Sequence, residues 1–385
     1  MVSIDWVDPT PLRLDDCELC PTVGVEEEFV LIDPDTGAPF PGNTRVVEAG
    51  RELGIDLQLE LSTCQIETAT PPCTSISQLR AELVRTRRLA AAAATEVGAR
   101  LLATGVPPMG PPPSSITDVA RYRRLAEHFG QLSEQVICGC HVHVGVPDRH
   151  TGAAVCNYLR LWLPALLALA ANSPIIGGRD TGYASWRHVL WSRWPSAGPP
   201  PHFDSATHYD AVVAEMLEHE TILDTAMLYW DVRLSAHLPT IEIRVADVPA
   251  TADDAVLVAT LIRGLVATAF TAIRLGSTAA PVDTHRLRAA YWRAARDGID
   301  GQGIDPITGH LVPATDPILR LLDHIRPALE RTGDYQPTQR AVRAVLASGN
   351  GAVRQRRTFR TGTPHDLLDT IGRTTLASHP TPRER

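Results

Sequence analysis

Glu26 and Glu28 are the first residues in this sequence whose type and spacing suggest chemistry. They lie within residues 23–32, VGVEEEFVLI, whose apolar residues predict a β-strand. Because successive side chains of a strand point to opposite faces, Glu26 and Glu28 share one face, about 7 Å apart, and Glu27 lies on the other. Two parallel carboxylates repel each other, and a bound Mg²⁺ or Mn²⁺ would relieve that repulsion. The alternative is an edge strand with solvated glutamates; for Glu27 we expect a structural role.

A second predicted strand, residues 136–146, carries His141 and His143 on one face. Both imidazoles can therefore approach one point, as in a metal or phosphate site. The alternative is a pair of hydrogen-bonded structural histidines. Cys138 and Cys140 point the other way, and no second Cys-x-Cys pair completes a zinc site.

Glu60 and Glu67 are further acidic candidates. Glu60 lies in the alternating segment 55–61, and Glu67 lies in a short predicted strand, residues 65–70. Their odd spacing puts both on one face only if a turn or bulge separates them. Glu60 alone fits a solvated strand face, whereas Glu67 fits a functional position better.

Two paired strands, residues 229–234 and 240–247, carry Arg233, Glu242 and Arg244. These charges could form a structural salt-bridge ladder. They could instead bind phosphate, because a guanidinium group binds phosphate oxygens in a bidentate manner. We favour the functional interpretation.

Two loops could complete a site. The glycine-rich segment 177–187, which ends at Arg187, resembles loops that cradle anions, although surface loops often have this composition. Residues 191–204 are rich in proline and aromatics and fit either a substrate-facing loop or a plain connector.

The sequence contains no lysine, so all 36 basic residues are arginine. This excludes Schiff-base enzymes, and it excludes nucleotide sites that depend on a P-loop or kinase lysine. Any phosphate must be bound by arginine and metal. The net charge of −8 argues against nucleic acid as a partner. Seven cysteines in no regular framework, with no leader segment, favour the cytoplasm.

The elements that position these residues are strands and helices without strict βαβ alternation. Polar and apolar residues alternate along the strands, which favours an α+β fold with an antiparallel sheet whose one face lines a site. Helices are predicted at residues 75–100, 116–131, 151–171 (kinked near Pro164), 208–224, 251–275, 283–296, 317–331 and 335–348. The longest apolar run, residues 161–171, is too short to span a bilayer.

Three further expectations concern the periphery. Arg80, Arg85, Arg87 and Arg88 are expected on a solvated helix face. Residues 350–357 are expected to form a polar turn, and residues beyond about 376 to be disordered. We expect one domain over residues 1–385, with its core at about 20–360 and flexible termini.

Taken together, the motifs resemble the bacterial type 2 glutamate–cysteine ligase-like family, the carboxylate–amine ligases. The resemblance covers roughly residues 20–360, and it is specific in the order and spacing of its parts. The matching segments are GVEEEF at 24–29, QIE at 65–67, GCHVHVG at 139–145, DTGYAS at 180–185 with Arg187, DVR at 231–233 and TIEIR at 240–244.

The resemblance implies a glutamine-synthetase-like catalytic fold: a curved, mainly antiparallel sheet with flanking helices that holds ATP and Mg²⁺ or Mn²⁺. It implies ATP-dependent amide formation through an acyl phosphate. By position, the implied metal ligands are Glu26, Glu28, Glu60, Glu67, His141 and Glu242. The implied catalytic residues are Arg233, Arg244 and Glu67, and the implied ATP or substrate contacts are Arg233, Arg244, His143 and Arg187.

The substrates are expected to be a small carboxylate and an amine, with glutamate and cysteine as the default pair. We also expect a homodimer with no membrane partner. The competing hypothesis is a zinc-dependent amidohydrolase that uses His141 and His143. It requires further histidines at later strand ends, but His188, His202 and His208 lie in loop or helix context.

Overall fold

The structure, a computed structural model, describes residues 20–111 and 115–377. The described residues form eleven strands and thirteen α-helices. The strands are β1 (Val23–Ile32), β2 (Gln58–Leu59), β3 (Gln65–Ala69), β4 (Arg100–Leu102), β5 (Gly139–Gly145), β6 (Ile175–Ile176), β7 (Arg179–Asp180), β8 (Val232–Leu234), β9 (Thr240–Asp247), β10 (Gln302–Ile304) and β11 (Leu311–Pro313). The helices are α1 (Asn43–Glu52), α2 (Ile76–Glu96), α3 (Ala120–Phe129), α4 (Arg149–Leu159), α5 (Leu163–Ala170), α6 (Trp186–Trp191), α7 (Ala206–Glu218), α8 (Ala252–Arg274), α9 (Thr284–Asp297), α10 (Thr315–Thr332), α11 (Tyr335–Ser348), α12 (Gly351–Thr361) and α13 (Pro364–Leu376).

Seven strands form the main sheet, in the order β2-β3-β1-β5-β9-β8, with β4 paired to the far end of β1. Each of these pairings is antiparallel. On one edge, β1 pairs with β5 along its first half and with β4 along its last three residues. On the other edge it pairs with β3. The predicted α+β class with a mainly antiparallel sheet is confirmed.

The face of the sheet opposite the acidic residues packs against helices. Val25 of β1 and Val142 of β5 belong to the larger core, which α8 fills, and Phe29 belongs to a second core with residues of α1 and α13. Helix α8 begins at a capping box formed by Thr251 and Asp254. By length and composition α8 could cross a membrane, but 72% of its most apolar window is buried within the fold. It is the central core helix, as the apolar pattern predicts.

Glu27 and Arg87 form a buried ion pair beneath the sheet. Glu27 is 0% exposed and Arg87 of α2 is 1% exposed. The two guanidinium-to-carboxylate distances are 2.6 and 2.9 Å. The prediction of a solvated Arg87 was therefore wrong: it lies four residues after Leu83 and three before Ala90, on the helix face that is buried. The structural placement of Glu27 is confirmed.

Several predicted bounds differ from the structure. The segment 55–61 forms a strand only at β2. The predicted helix 151–171 is two helices, α4 and α5, bent by 68°, with a proline at the first turn of α5.

The C-terminal part of the described chain is helical. The predicted polar turn at 350–357 was wrong: Asn350 accepts a hydrogen bond from the Val353 amide and caps α12. Helix α13 then packs Leu367 and Ile371 into the second core, and the Ala103 amide donates to the Thr375 hydroxyl at 2.9 Å. The packed fold therefore extends past residue 360.

Candidate active site

Strand register brings acidic and imidazole side chains together on one face of the main sheet. Glu28 of β1 lies directly opposite Glu67 of β3, and Glu26 lies opposite His141 of β5. A β-bulge between Cys140 and Val142 shifts the pairing of β5 with β9 at this point. Residues that are distant in sequence therefore meet in adjacent cross-strand rows.

His141 lies at the centre of this face. Its Nδ1 is 3.4 Å from Glu26 Oε2 and 4.0 Å from Glu242 Oε1, and its Nε2 is 3.7 Å from Glu28 Oε1. The Gly139 amide donates to Glu28 Oε2 at 2.6 Å and orients that carboxylate. Two groups have ligand atoms within 4.8 Å of one another: Glu26 with His141 and Glu242, and Glu28 with Glu67 and His141.

These donors fit a divalent cation. Carboxylate oxygens with one imidazole suit Mg²⁺ or Mn²⁺. His141 Nε2 is buried and has no hydrogen-bond partner among the described residues, so it is available to a ligand. A neutral imidazole has one lone pair, so His141 can bind one cation directly at a time, although both groups contain it.

The carboxylates of this face differ in their pKa values. Burial raises the pKa of Glu67 well above its usual range, and the charges of Glu60, Glu26 and Glu28 raise it further. Burial, followed by repulsion from Glu28, raises the pKa of Glu60 to about 8. Burial alone would also raise the pKa of Glu26, but hydrogen bonds and charge from His141 and His143 hold it below its usual range. Without a cation, Glu60 and Glu67 therefore keep their protons to a higher pH than an ordinary carboxyl group does.

Glu242 is held between two arginines. Arg233 binds it in a bidentate manner, at 2.9 and 3.2 Å, and Arg244 Nη1 contacts Glu242 Oε1. Burial would raise the pKa of Glu242, but the charges of Arg233 and Arg244 hold it well below its usual range. Arg244 Nη1 also lies 3.3 Å from His141 Nδ1. Both arginines therefore adjoin the two candidate cation groups. The fork of Arg233 is taken up by Glu242, whereas Arg244 Nε is buried without a partner among the described residues and can bind an anion.

Arg233 is also fixed by its neighbours. It donates to the carbonyls of Ala226 and Leu228 at 2.9 and 2.8 Å. Arg187, at the start of α6, is buried and donates to the Arg244 carbonyl at 3.3 Å. Gly139 leaves room for it, since a Cβ at that position would lie 2.3 Å from Arg187 Nη2.

Glu60 and His143 lie at the margins of the face. Glu60 follows β2, and a turn through residues 61–64 separates it from Glu67, which reconciles their odd spacing. Both glutamates line the same cavity, although Glu60 is outside the two three-residue groups. His143 lies 3.3 Å from Glu26 Oε1 and 2.9 Å from the Thr240 hydroxyl, and it does not line the cavity.

The cavity above this face encloses about 280 Å³. Its lining combines the acidic residues, His141 and the arginines with aromatic and aliphatic side chains, and the Arg244 guanidinium lies 5.7 Å from the centroid of the Trp191 ring. Sequence reasoning missed most of the aromatic and aliphatic lining, because its residues come from separate helices and loops without a periodic pattern. Only Trp191 and Trp194 fall in the segment that was considered as a substrate-facing loop. The cavity residues that were missed are Leu61, Gln65, Arg121, Tyr122, Leu125, Gln135, Ile137, Ala226 and Tyr229.

Comparison with solved structures supports the fold. A glutamate–cysteine ligase from Francisella tularensis, solved in complex with AMP, superposes with a TM-score of 0.70 at 14% identity, over 92% of this chain and 88% of that one. A bifunctional glutathione synthetase from Pasteurella multocida superposes with a TM-score of 0.68 at 16% identity, over 93% of this chain and 52% of that one. The chain therefore shares its fold with these two enzymes.

The sequence comparisons go further. A model of glutamate–cysteine ligase family 2 matches residues 22–370, and the chain belongs to this family. A protein of Mycolicibacterium vanbaalenii provisionally named glutamate–cysteine ligase 2-2 is 51% identical over 93% of this chain and 98% of its own length. A Nocardia farcinica protein provisionally named glutamate–cysteine ligase 2-1 is 53% identical over 91% of each chain. The chain is thus an enzyme of the class that forms carbon–nitrogen bonds.

The amidohydrolase alternative is not supported. Within the described residues, the two candidate metal groups contain His141 as their only histidine. His188 instead stacks on Tyr291, and His202 and His208 lie beside Asp204.

Proposed function

We propose that this enzyme joins a small carboxylate to an amine at the expense of ATP. The observation that carries the proposal is the meeting of two three-residue ligand groups, which share His141, with Arg233 and Arg244 beside a cavity of about 280 Å³. A cation held by Glu26, His141 and Glu242, or by Glu28, Glu67 and His141 with Glu60 beside them, would neutralise the phosphate oxygens of ATP.

In the first step, an oxygen of the substrate carboxylate attacks the γ-phosphorus, and the bond between that phosphorus and ADP breaks. Arg244 stabilises the charge that develops on the transferred group, because its Nε is buried without a partner among the described residues. Arg233, whose fork holds Glu242, adds positive charge nearby. Arg187, buried behind Arg244, supports its position or contacts the substrate, and His143 orients Glu26.

In the second step, the nitrogen lone pair of the amine attacks the acyl carbon. The bond from that carbon to the phosphate oxygen breaks, phosphate leaves, and the nitrogen gives up a proton to solvent. Neither step requires a nucleophilic protein side chain. The part of the protein is to position the reactants, exclude water and supply fixed charge.

The experiment that tests this function is ADP release from Mg-ATP with a panel of carboxylates, alone and with amines. Glutamate and cysteine are the first pair to test, because they occur in the names of the relatives. Hydroxylamine added in place of the amine traps an acyl phosphate as a hydroxamate. Hydroxamate formation that requires both ATP and one carboxylate supports the proposal. No hydroxamate and no ADP with any carboxylate, in a folded protein, would refute it.

The proposal includes a homodimer in the cytoplasm. Size-exclusion chromatography with light scattering tests the dimer, and a monomeric mass at working concentration would contradict it.

A further inference from the structure

We infer that the aromatic end of the cavity is the amine subsite, and that it takes a primary amine with an aromatic or other bulky apolar body and a hydrogen-bonding group. This inference rests on the proposed function. The aromatic end is defined here by Tyr122, Leu125, Gln135, Ile137, Trp194 and Tyr229, all of which line the cavity.

The walls of the aromatic end are interlocked rings. Trp194 packs edge-on against Tyr229, with ring centroids 5.3 Å apart, and Phe129 also packs edge-on against Trp194, with ring centroids 5.2 Å apart. Tyr229 also contacts Trp191 at 4.4 Å. These contacts hold the rings in place before a ligand arrives, which favours a flat or bulky apolar group between them. The single sulfur atom of cysteine would leave most of this surface uncovered.

Three polar atoms at this end have no partner in the part of the chain that the structure describes. The amide oxygen and nitrogen of Gln135 and Nε1 of Trp194 are buried and make no hydrogen bond to any described residue. Other polar groups of the same wall are satisfied: the Tyr122 hydroxyl donates to the Leu59 carbonyl at 2.9 Å, and Trp191 Nε1 donates to the Tyr229 carbonyl at 3.2 Å. A buried donor or acceptor without a partner is costly, so these atoms are positioned for a ligand.

The charges of the cavity assign this end to the amine. The reacting carboxylate must lie near Arg244, whose Nε is buried without a partner among the described residues. Arg121, which also lines the cavity, is already bound to Asp224 in a bidentate manner, at 2.8 and 3.0 Å. An uncharged body with hydrogen-bonding groups therefore suits this end better than a second anion does.

The test uses the hydroxamate reaction as an internal reference, because hydroxylamine is small and does not need the aromatic end. The variants are Trp194→Phe, which keeps a ring but removes the N–H, and Gln135→Leu, which removes the amide. Trp292→Phe is the matched control, because Trp292 is 49% exposed and lies outside the cavity. Each protein is assayed with hydroxylamine and with cysteine, alanine, phenylalanine and phenethylamine.

We expect wild-type kcat/KM for the aromatic amines to exceed that for cysteine and alanine by about 10-fold or more. Trp194→Phe and Gln135→Leu should each lower kcat/KM for the aromatic amines by about 5- to 30-fold, mainly through KM. Their hydroxamate rates, and their KM for ATP in that reaction, should stay within about 2-fold of wild type, as should every rate of Trp292→Phe.

Three results would overturn the inference. A raised KM for ATP in the hydroxamate reaction of both variants would show that this end holds the adenine. A wild-type preference for cysteine over the larger amines would refute the substrate class. Unchanged amine kinetics in both variants would remove the subsite. Absence of hydroxamate in the wild type would instead refute the proposed function and, with it, this inference.

Discussion

Glu67 lies directly opposite Glu28 on the neighbouring strand, and burial with repulsion raises its pKa well above its usual range. We predict that Glu67→Gln abolishes ADP formation and leaves the melting temperature equal to that of wild type or higher. The amide removes an ionisable group that its acidic neighbours destabilise, and it is also a poorer cation ligand. ADP release in Mg²⁺ and thermal unfolding in EDTA measure the two effects.

Glu48→Gln, on the exposed side of α1, is the control for this substitution. It should change neither ADP formation nor the melting temperature. A large drop in melting temperature for Glu67→Gln would make Glu67 a structural residue, and normal ADP formation would remove it from the site.

Arg244 presents its guanidinium group to Glu242 and His141, where a single point charge cannot replace it. We predict that Arg244→Lys lowers kcat/KM for ATP by about 30- to 1000-fold, because lysine cannot form the bidentate contact. Initial rates of ADP release at varied ATP measure the loss. Arg88→Lys, on the exposed face of α2, should show wild-type kinetics. If Arg244→Lys and Arg88→Lys have the same kcat/KM for ATP, Arg244 is not part of the site.

At the residue scale, strand alternation predicts which side chains share a face, and this is why Glu26, Glu28 and His141 could be proposed together. It does not predict how far along the strand the cavity extends. His143 is two residues beyond His141 and lies outside the cavity lining. Trp194 and Gln135 line the cavity from segments outside the helices and strands, where no periodic pattern indicates which side chains are buried.

At the scale of elements, the pair formed by Glu27 and Arg87 fixes helix α2 beneath β1. Arg87 also donates to the carbonyls of Pro249 and Thr375, so one guanidinium joins β1, the start of α8 and the end of α13. The antiparallel sheet was predictable from the alternating strands. The contacts of Arg87 were not, because a charged residue on a helix usually faces solvent.

We predict that Glu27→Gln lowers the free energy of unfolding by about 3–5 kcal/mol, because it leaves Arg87 buried with an uncompensated charge. Urea unfolding followed by circular dichroism measures the change. Glu96→Gln, at the exposed end of α2, should change it by less than about 0.5 kcal/mol. A loss below about 1 kcal/mol for Glu27→Gln would mean that water or other groups compensate Arg87.

At the scale of the whole molecule, the acidic face couples folding stability to pH and to cations. The pKa of Glu60 in the fold is about 8, above the usual value of 4.5. In the cation-free protein its contribution to stability is therefore fully present below about pH 4.5 and is lost as pH rises toward 8. Glu67, whose pKa is also raised, acts in the same direction. The pKa of Glu26 is lowered in the fold, so its contribution to stability is present above about pH 4.5 and is lost as pH falls below that value.

We therefore predict that the stabilisation by Mg²⁺ grows with pH, because the cation must displace the protons of Glu60 and Glu67. At free Mg²⁺ of 100 times Kd, binding adds about 2.7 kcal/mol to the free energy of unfolding, and proton competition should reduce this strongly near pH 5.5. Melting temperatures with Mg²⁺, with EDTA and with NaCl of equal ionic strength, at pH 5.5 and pH 8, measure the difference. The double variant Glu60→Gln with Glu67→Gln should lose the pH dependence. Two results in the wild type would contradict this prediction: a rise in melting temperature with Mg²⁺ that is equal at both pH values, or one that NaCl reproduces. Either would mean that no cation binds at these two carboxylates and that their raised pKa values reflect burial alone.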